Sequence, residues 1–130
     1  MVKIIVAVDF DGTTVTHKYP KVGEEVPDAI SVIKELIEAG VGIILYTMRS
    51  DSTLQDAIKW YADRGIALYG INLNPSQKNW TNSPKCYAHY YVDDAAVGCP
   101  LIYVDDPDER PYVNWKEIRK FFIAEGILYG

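Results

Sequence analysis

Two carboxylates close the first apolar run of the chain. The stretch reads VDFDGTTV, with Asp9 and Asp11 two residues apart and Gly12 directly behind. Side chains at this spacing emerge on the same side of an extended strand, and glycine lets the chain turn sharply afterwards. Carboxylates held this way act as metal ligands, as nucleophiles, or as both. A second acid pair, Asp93 and Asp94, closes another apolar stretch in YYVDD. Between them, LYTMRS sets the Thr47 hydroxyl and the Met48 backbone N–H at the end of a further apolar run, with Arg49 next. Lys85 precedes the second acid pair in NSPKCY. The string YVDD is itself written twice, at 91–94 and at 103–106.

The elements that must hold these residues follow from pattern. Val2–Val8 is a β-branched run suited to a strand buried on both faces of a parallel sheet. Over Val26–Ala39 the period changes: Val26, Ile30, Ile33 and Ile37 share one helical stripe, with Pro27 near its start and Gly40 past its end. Val41–Tyr46 is a second buried strand. A helix capped by Ser50 or Ser52 runs to about Arg64, turning Leu54, Ile58 and Tyr61 inward, and Gly65 stops it. Ile66–Tyr69, Tyr90–Val92 and Leu101–Val104 read as short strands, and residues 71–84 as a loop. Asn114 and Glu117 start a last helix that buries Trp115, Ile118 and Phe122, with Val113 and Ile118 as its staple. Alternating strands and helices predict an α/β fold, a Rossmann-like three-layer sandwich around a mostly parallel sheet. Ligands of such sheets sit beyond the carboxyl ends of the strands, where all these motifs fall.

Taken in order, DxDGT, a strand ending in Thr, a lysine, and a strand ending in DD resemble the haloacid dehalogenase-like superfamily of phosphotransferases. The match spans about residues 2–94, and SPKCYAHYYVDD is similar to the corresponding stretch of its nucleotidase branch. The resemblance implies a phosphatase in which Asp9 attacks phosphorus and Asp11 serves as general acid and base. It implies Mg²⁺ held by the Asp9 carboxylate, the Asp11 carbonyl, Asp93 and Asp94. It implies that Thr47, Lys85 and the N–H groups of Phe10, Asp11 and Met48 hold the phosphoryl oxygens. Many relatives carry a cap domain; here Thr14–Pro27 leaves space only for a turn and flap, so a single capless domain over 1–130 is expected. A second copy of the chain, or the flap, could close the open site.

Lys85 lies eight residues before Asp93. Were that stretch fully extended, the two would stand roughly 26 Å apart. The lysine reaches the site only if 85–89 makes a helical turn, which is therefore predicted; Lys78 is the competitor. Arg49 is a candidate clamp for the substrate anion. His17, Tyr19 and Trp80 read as loop residues and His89 as structural, and Cys86 has no base beside it. Of the two YVDD copies, the one after Lys85 takes the metal, and Asp105 and Asp106, leading into PDERPY, take turn chemistry.

A net charge of −5 argues against a broad nucleic-acid-binding face. No apolar run approaches the length that spans a bilayer, and the first one ends in acids rather than in a signal cleavage site. Cys86 and Cys99 lack metal spacing and read as free thiols of a cytoplasmic protein. Two other readings use the same residues: a receiver-like phospho-accepting switch, and another phosphotransferase such as a phosphomutase.

Overall fold

The computed structural model describes residue 2 and residues 4–130. Ile5–Val8 forms strand β1, with all its residues buried; Lys3, inside the strand expected over Val2–Val8, lies outside the described residues. Helix α1 (Ala29–Glu38), strand β2 (Gly42–Leu45), helix α2 (Asp51–Asp63) and strand β3 (Gly70–Ile71) follow. After a long connection come β4 (Tyr90–Val92), β5 (Leu101–Ile102), β6 (Tyr112–Val113) and helix α3 (Trp115–Ala124). The protein is α/β, with a parallel sheet in the order β3-β2-β1-β4.

Alternation along the strands builds two cores. Val6, Val8, Ile43 and Leu45 face the three helices and meet Ile33, Leu36, Tyr61, Trp115 and Phe122. Ile5, Ala7 and Ile44 face the other way and meet Cys86 and Ala88. The third layer is thus the connection from β3 to β4, which carries one 3₁₀ turn at Gln77–Asn79, rather than a helix. Each large side chain fully buried this way contributes about 1.5–3 kcal/mol.

The chain runs from β1 outward to β3 and then jumps back to β4 on the far side of β1. A crevice opens at such a reversal. Val8 pairs with both Leu45 and Val92, so residues 9, 46 and 93 leave the sheet at one edge.

Several boundaries differ from those the pattern predicts. Asp28 adopts φ 68°, so α1 starts at Ala29, and the Val26 N–H instead donates to the Thr14 carbonyl. Residues 66–69 do not form the third strand: Ile66 is buried in the helix-side core, and pairing with β2 begins only at the Tyr69 N–H. Successive turns, closed by Ala96 N–H to Asp93 O and Cys99 N–H to Ala96 O, carry the chain off the sheet after β4. The expected strand Leu101–Val104 is therefore only Leu101–Ile102, and it pairs antiparallel with β6 in a separate hairpin. Helix α3 matches its prediction, with the Asn114 side chain accepting from the Glu117 N–H and Trp115, Ile118 and Phe122 buried. The two cysteines are free.

Candidate active site

The loop that leaves β1 is pinned from several sides. The Phe10 carbonyl accepts the N–H groups of Thr13, Thr14 and Val15 at 3.2, 2.9 and 3.1 Å. The Thr14 hydroxyl donates to the Asp9 carbonyl at 2.9 Å, so its lone pairs accept the buried Tyr61 hydroxyl, also at 2.9 Å. From α3, the Trp115 indole N–H donates to the Thr13 carbonyl at 2.7 Å. Gly12 has φ +84°, and a Cβ there would collide with the His17 ring and the Asp94 carboxylate.

This loop brings Asp9 against the end of β4. One carboxylate oxygen each from Asp9, Asp93 and Asp94 lie within 4.8 Å of one another. The Thr13 hydroxyl ties the group together, donating to Asp9 Oδ2 at 3.0 Å and accepting the Asp94 N–H at 3.1 Å. His17 Nε2 contacts Asp94 Oδ2 at 2.9 Å, and Asp93 Oδ1 accepts the Ala95 N–H at 2.8 Å. Burial first, then the neighbouring Asp94 and Asp93 carboxyls, push the Asp9 carboxyl up to about 8. Among the described residues no basic side chain bonds to Asp9 or Asp93, so the three gathered carboxyls make a place that favours positive charge. Their hard oxygen donors fit Mg²⁺. The Asp11 carbonyl accepts no hydrogen bond among the described residues, which leaves it open to the same ion.

The Asp11 side chain lies outside this cluster. It forms a bidentate pair with Arg49, Nε to Oδ2 and Nη2 to Oδ1, both at 2.8 Å. Arg49 also donates through Nη1 to the Pro20 and Thr53 carbonyls and through Nη2 to the Lys21 carbonyl. All five of its N–H donors are thereby used. Its side chain is 1% exposed and sits between the Phe10 and Tyr19 rings, each 5.1 Å away. The hydrogen bonds to Asp11 raise its already high pKa. The expectation that Arg49 clamps a substrate anion gives way to a different role. It fastens the flap, residues 16–25, and fixes the orientation of the Asp11 side chain.

Thr47 stands at the same edge. Its N–H donates to Asn72 Oδ1 at 2.7 Å, and its hydroxyl accepts the Arg49 N–H at 3.1 Å. The Met48 side chain is 98% exposed. No acceptor among the described residues takes the N–H groups of Phe10, Asp11 or Met48, the donors an anion would need. The Phe10 side chain is buried beneath Arg49.

Lys85 is absent from this assembly. Residues 85–89 form no helical turn, because Cys86 and Ala88 are tucked against the sheet and His89 meets the amino end of β1. There the His89 N–H donates to the Ile5 carbonyl and His89 Nδ1 accepts the Ile5 N–H at 3.0 Å. Lys85 and Lys78 both line a separate cavity on the β3–β4 connection. Asp105 and Asp106 are exposed, and Asp106 Oδ1 caps its own turn through the Asp108 N–H.

The cavity over the carboxylates has a volume of about 570 Å³. His17 and Tyr19, read from sequence as loop residues, form its wall, together with Arg110. Thr13 and Asn72 were also missed as site residues. The first threonine of DGTT, Thr13, offered a signal for the Asp9 loop, while nothing local marks Asn72 or Arg110.

No protein-family model matches the chain, and no curated protein does. Among solved structures, that of a conserved protein from Bacteroides thetaiotaomicron is similar. It is 33% identical, the alignment covers 95% of this chain and 91% of that one, and the TM-score is 0.75. At that identity, over nearly the full length of both chains, this chain belongs to the family of the conserved Bacteroides protein.

Proposed function

We propose that the protein is a Mg²⁺-dependent phosphohydrolase of the haloacid dehalogenase-like type, working through Asp9. The observation that carries this reading is the convergence of Asp9, Asp93 and Asp94 in the crevice between β1 and β4. Asp9, Asp93, Asp94 and the Asp11 carbonyl would hold the ion, which supplies positive charge to offset the carboxylates and the phosphate. An Asp9 oxygen forms a bond to phosphorus as the bond to the leaving oxygen breaks, giving an aspartyl phosphate. Water then attacks phosphorus, the bond to Asp9 breaks, and inorganic phosphate leaves. The N–H groups of Phe10, Asp11 and Met48 and the Thr47 hydroxyl receive the phosphoryl oxygens. Asp11 is the proton carrier within reach of both steps. It must first leave Arg49 and pick up a proton, so the Asp11–Arg49 pair represents a resting arrangement.

That same pair favours a second reading, a phospho-accepting switch. If Asp11 stays on Arg49, the acyl phosphate forms but its hydrolysis lacks a base, and the phosphoprotein persists. The two free thiols suit a reducing compartment such as the cytoplasm.

Hydrolysis of an aryl phosphate with and without Mg²⁺ is the test. Turnover that requires Mg²⁺ and vanishes in Asp9→Asn is expected. Absence of turnover across phosphate esters, together with absence of Mg²⁺ and beryllofluoride binding, would overturn the proposal. A phosphate mass increment that persists for minutes after treatment with a small phosphodonor would select the switch.

A further inference from the structure

The cavity holds four aspartates, Asp9, Asp11, Asp93 and Asp94, against His17, Arg49 and Arg110. Arg49 is spent on Asp11 and on backbone carbonyls. His17 is spent on Asp94. A divalent ion and Arg49 together offset three of the four carboxylate charges. A phosphate dianion entering such a pocket meets net negative charge unless another cation faces it. Both lysines of the β3–β4 connection lie at a different cavity.

Arg110 is exposed, and no acceptor among the described residues takes a hydrogen bond from its guanidinium. The hairpin on either side of it is tied to the site's own segments. The preceding residue, Glu109, accepts from Lys18 Nζ of the flap at 2.8 Å. Three residues on, the Val113 N–H donates to the Gly12 carbonyl of the Asp9 loop at 3.1 Å. A guanidinium without a bonded acceptor among the described residues thus lines an acidic pocket, beside the loop that carries Asp9 and Asp11 and the flap that supplies His17 and Tyr19.

Resting on the phosphohydrolase reading above, we propose that Arg110 is the substrate-binding cation of this site. From the β5–β6 hairpin it grips the phosphoryl oxygens, the part the sequence motif assigns to Lys85. The guanidinium fork suits two phosphate oxygens at once.

The experiment is calorimetric titration of the Mg²⁺-loaded protein with inorganic phosphate, beside KM and kcat for an aryl phosphate. Arg110→Ala is expected to weaken phosphate binding by about tenfold or more, the scale of one charge-assisted hydrogen bond. KM should rise further than kcat falls, with Mg²⁺ affinity and melting temperature unchanged. Arg110→Gln, which keeps the stem, should match Arg110→Ala; Arg110→Lys should recover part of the loss; Lys85→Ala should behave as wild type. Wild-type phosphate affinity and KM in both Arg110→Ala and Arg110→Gln, or a loss in Lys85→Ala, would overturn the inference. If wild-type protein binds Mg²⁺ and hydrolyses the ester, only this inference is at stake. If it does neither, the phosphohydrolase reading falls and takes this one with it.

Discussion

The string Tyr-Val-Asp-Asp occupies residues 91–94 and again 103–106, and the two copies fold differently. In the first, Tyr91 and Val92 pair with Ala7 and Val8, Val92 is 4% exposed, and the acids project beside Asp9. The Tyr91 hydroxyl donates to the Cys86 carbonyl and accepts the Ala88 N–H, locking the incoming connection to the strand. In the second, Tyr103 is 77% exposed, no strand contains it, and Asp106 caps a turn. Identical local propensity therefore yields strand in one place and loop in the other. The difference is the partner, a buried parallel neighbour for the first and solvent for the second. Strand pairing delivers one acid pair to a third carboxylate and leaves the other in solvent.

The sharpest way to break the comparison is to remove what the first copy faces. Asp9→Asn should lower Mg²⁺-dependent turnover by about a thousandfold or more, while thermal melting of the metal-free protein shows equal or greater stability, since a crowded carboxyl is gone. Loss of stability instead would mean that Asp9 is held by favourable contacts. Next in size, Arg49→Met strips one partner from a buried ion pair and should cost about 3–5 kcal/mol in denaturant unfolding. The Asp11→Asn, Arg49→Met double variant should recover part of that cost, because an unpaired carboxylate is worse than none. Asp93→Ala should weaken Mg²⁺ binding by about a hundredfold, read by calorimetry, and Asp105→Ala should leave it at the wild-type value. Equal losses from the two variants would erase the distinction between the copies.

A pH series sharpens the same contrast. The Asp9 carboxyl is raised from the model-peptide value of 3.8 to about 8, so the folded, metal-free protein binds a proton there that the unfolded chain has lost. The stabilisation is complete below about pH 4 and disappears as pH rises through about 8. Mg²⁺ competes with that proton, so its affinity should climb over the same interval and level off above pH 8. Asp9→Asn should flatten the stability profile there, and Asp105→Ala should leave it intact.

Much of this arrangement is legible without coordinates, and the limits have physical causes. Continuous apolar runs identified the central strands β1 and β2, because strands buried on both faces cannot afford polar residues. Asn114 marked the start of α3 because capping is a local event. Lys85 failed because its position depends on how Cys86 and Ala88 seat against the far face of the sheet, a non-local matter. Asp11 and Arg49 were each noticed, but not as partners, since 38 residues separate them and only the fold brings them together. Arg110 belongs to a hairpin whose own pattern carries no trace of the pocket it overlooks.

The indole of Trp115 grips the carbonyl of Thr13 across 102 residues of chain. During synthesis the Asp9 loop emerges about a hundred residues ahead of this far anchor. A ribosome-bound chain halted before α3 would carry every proposed ligand of the metal in the right order, yet leave the loop that presents Asp9 without its far anchor. Completion of the pocket is thereby made to wait for a helix that contributes no carboxylate to it.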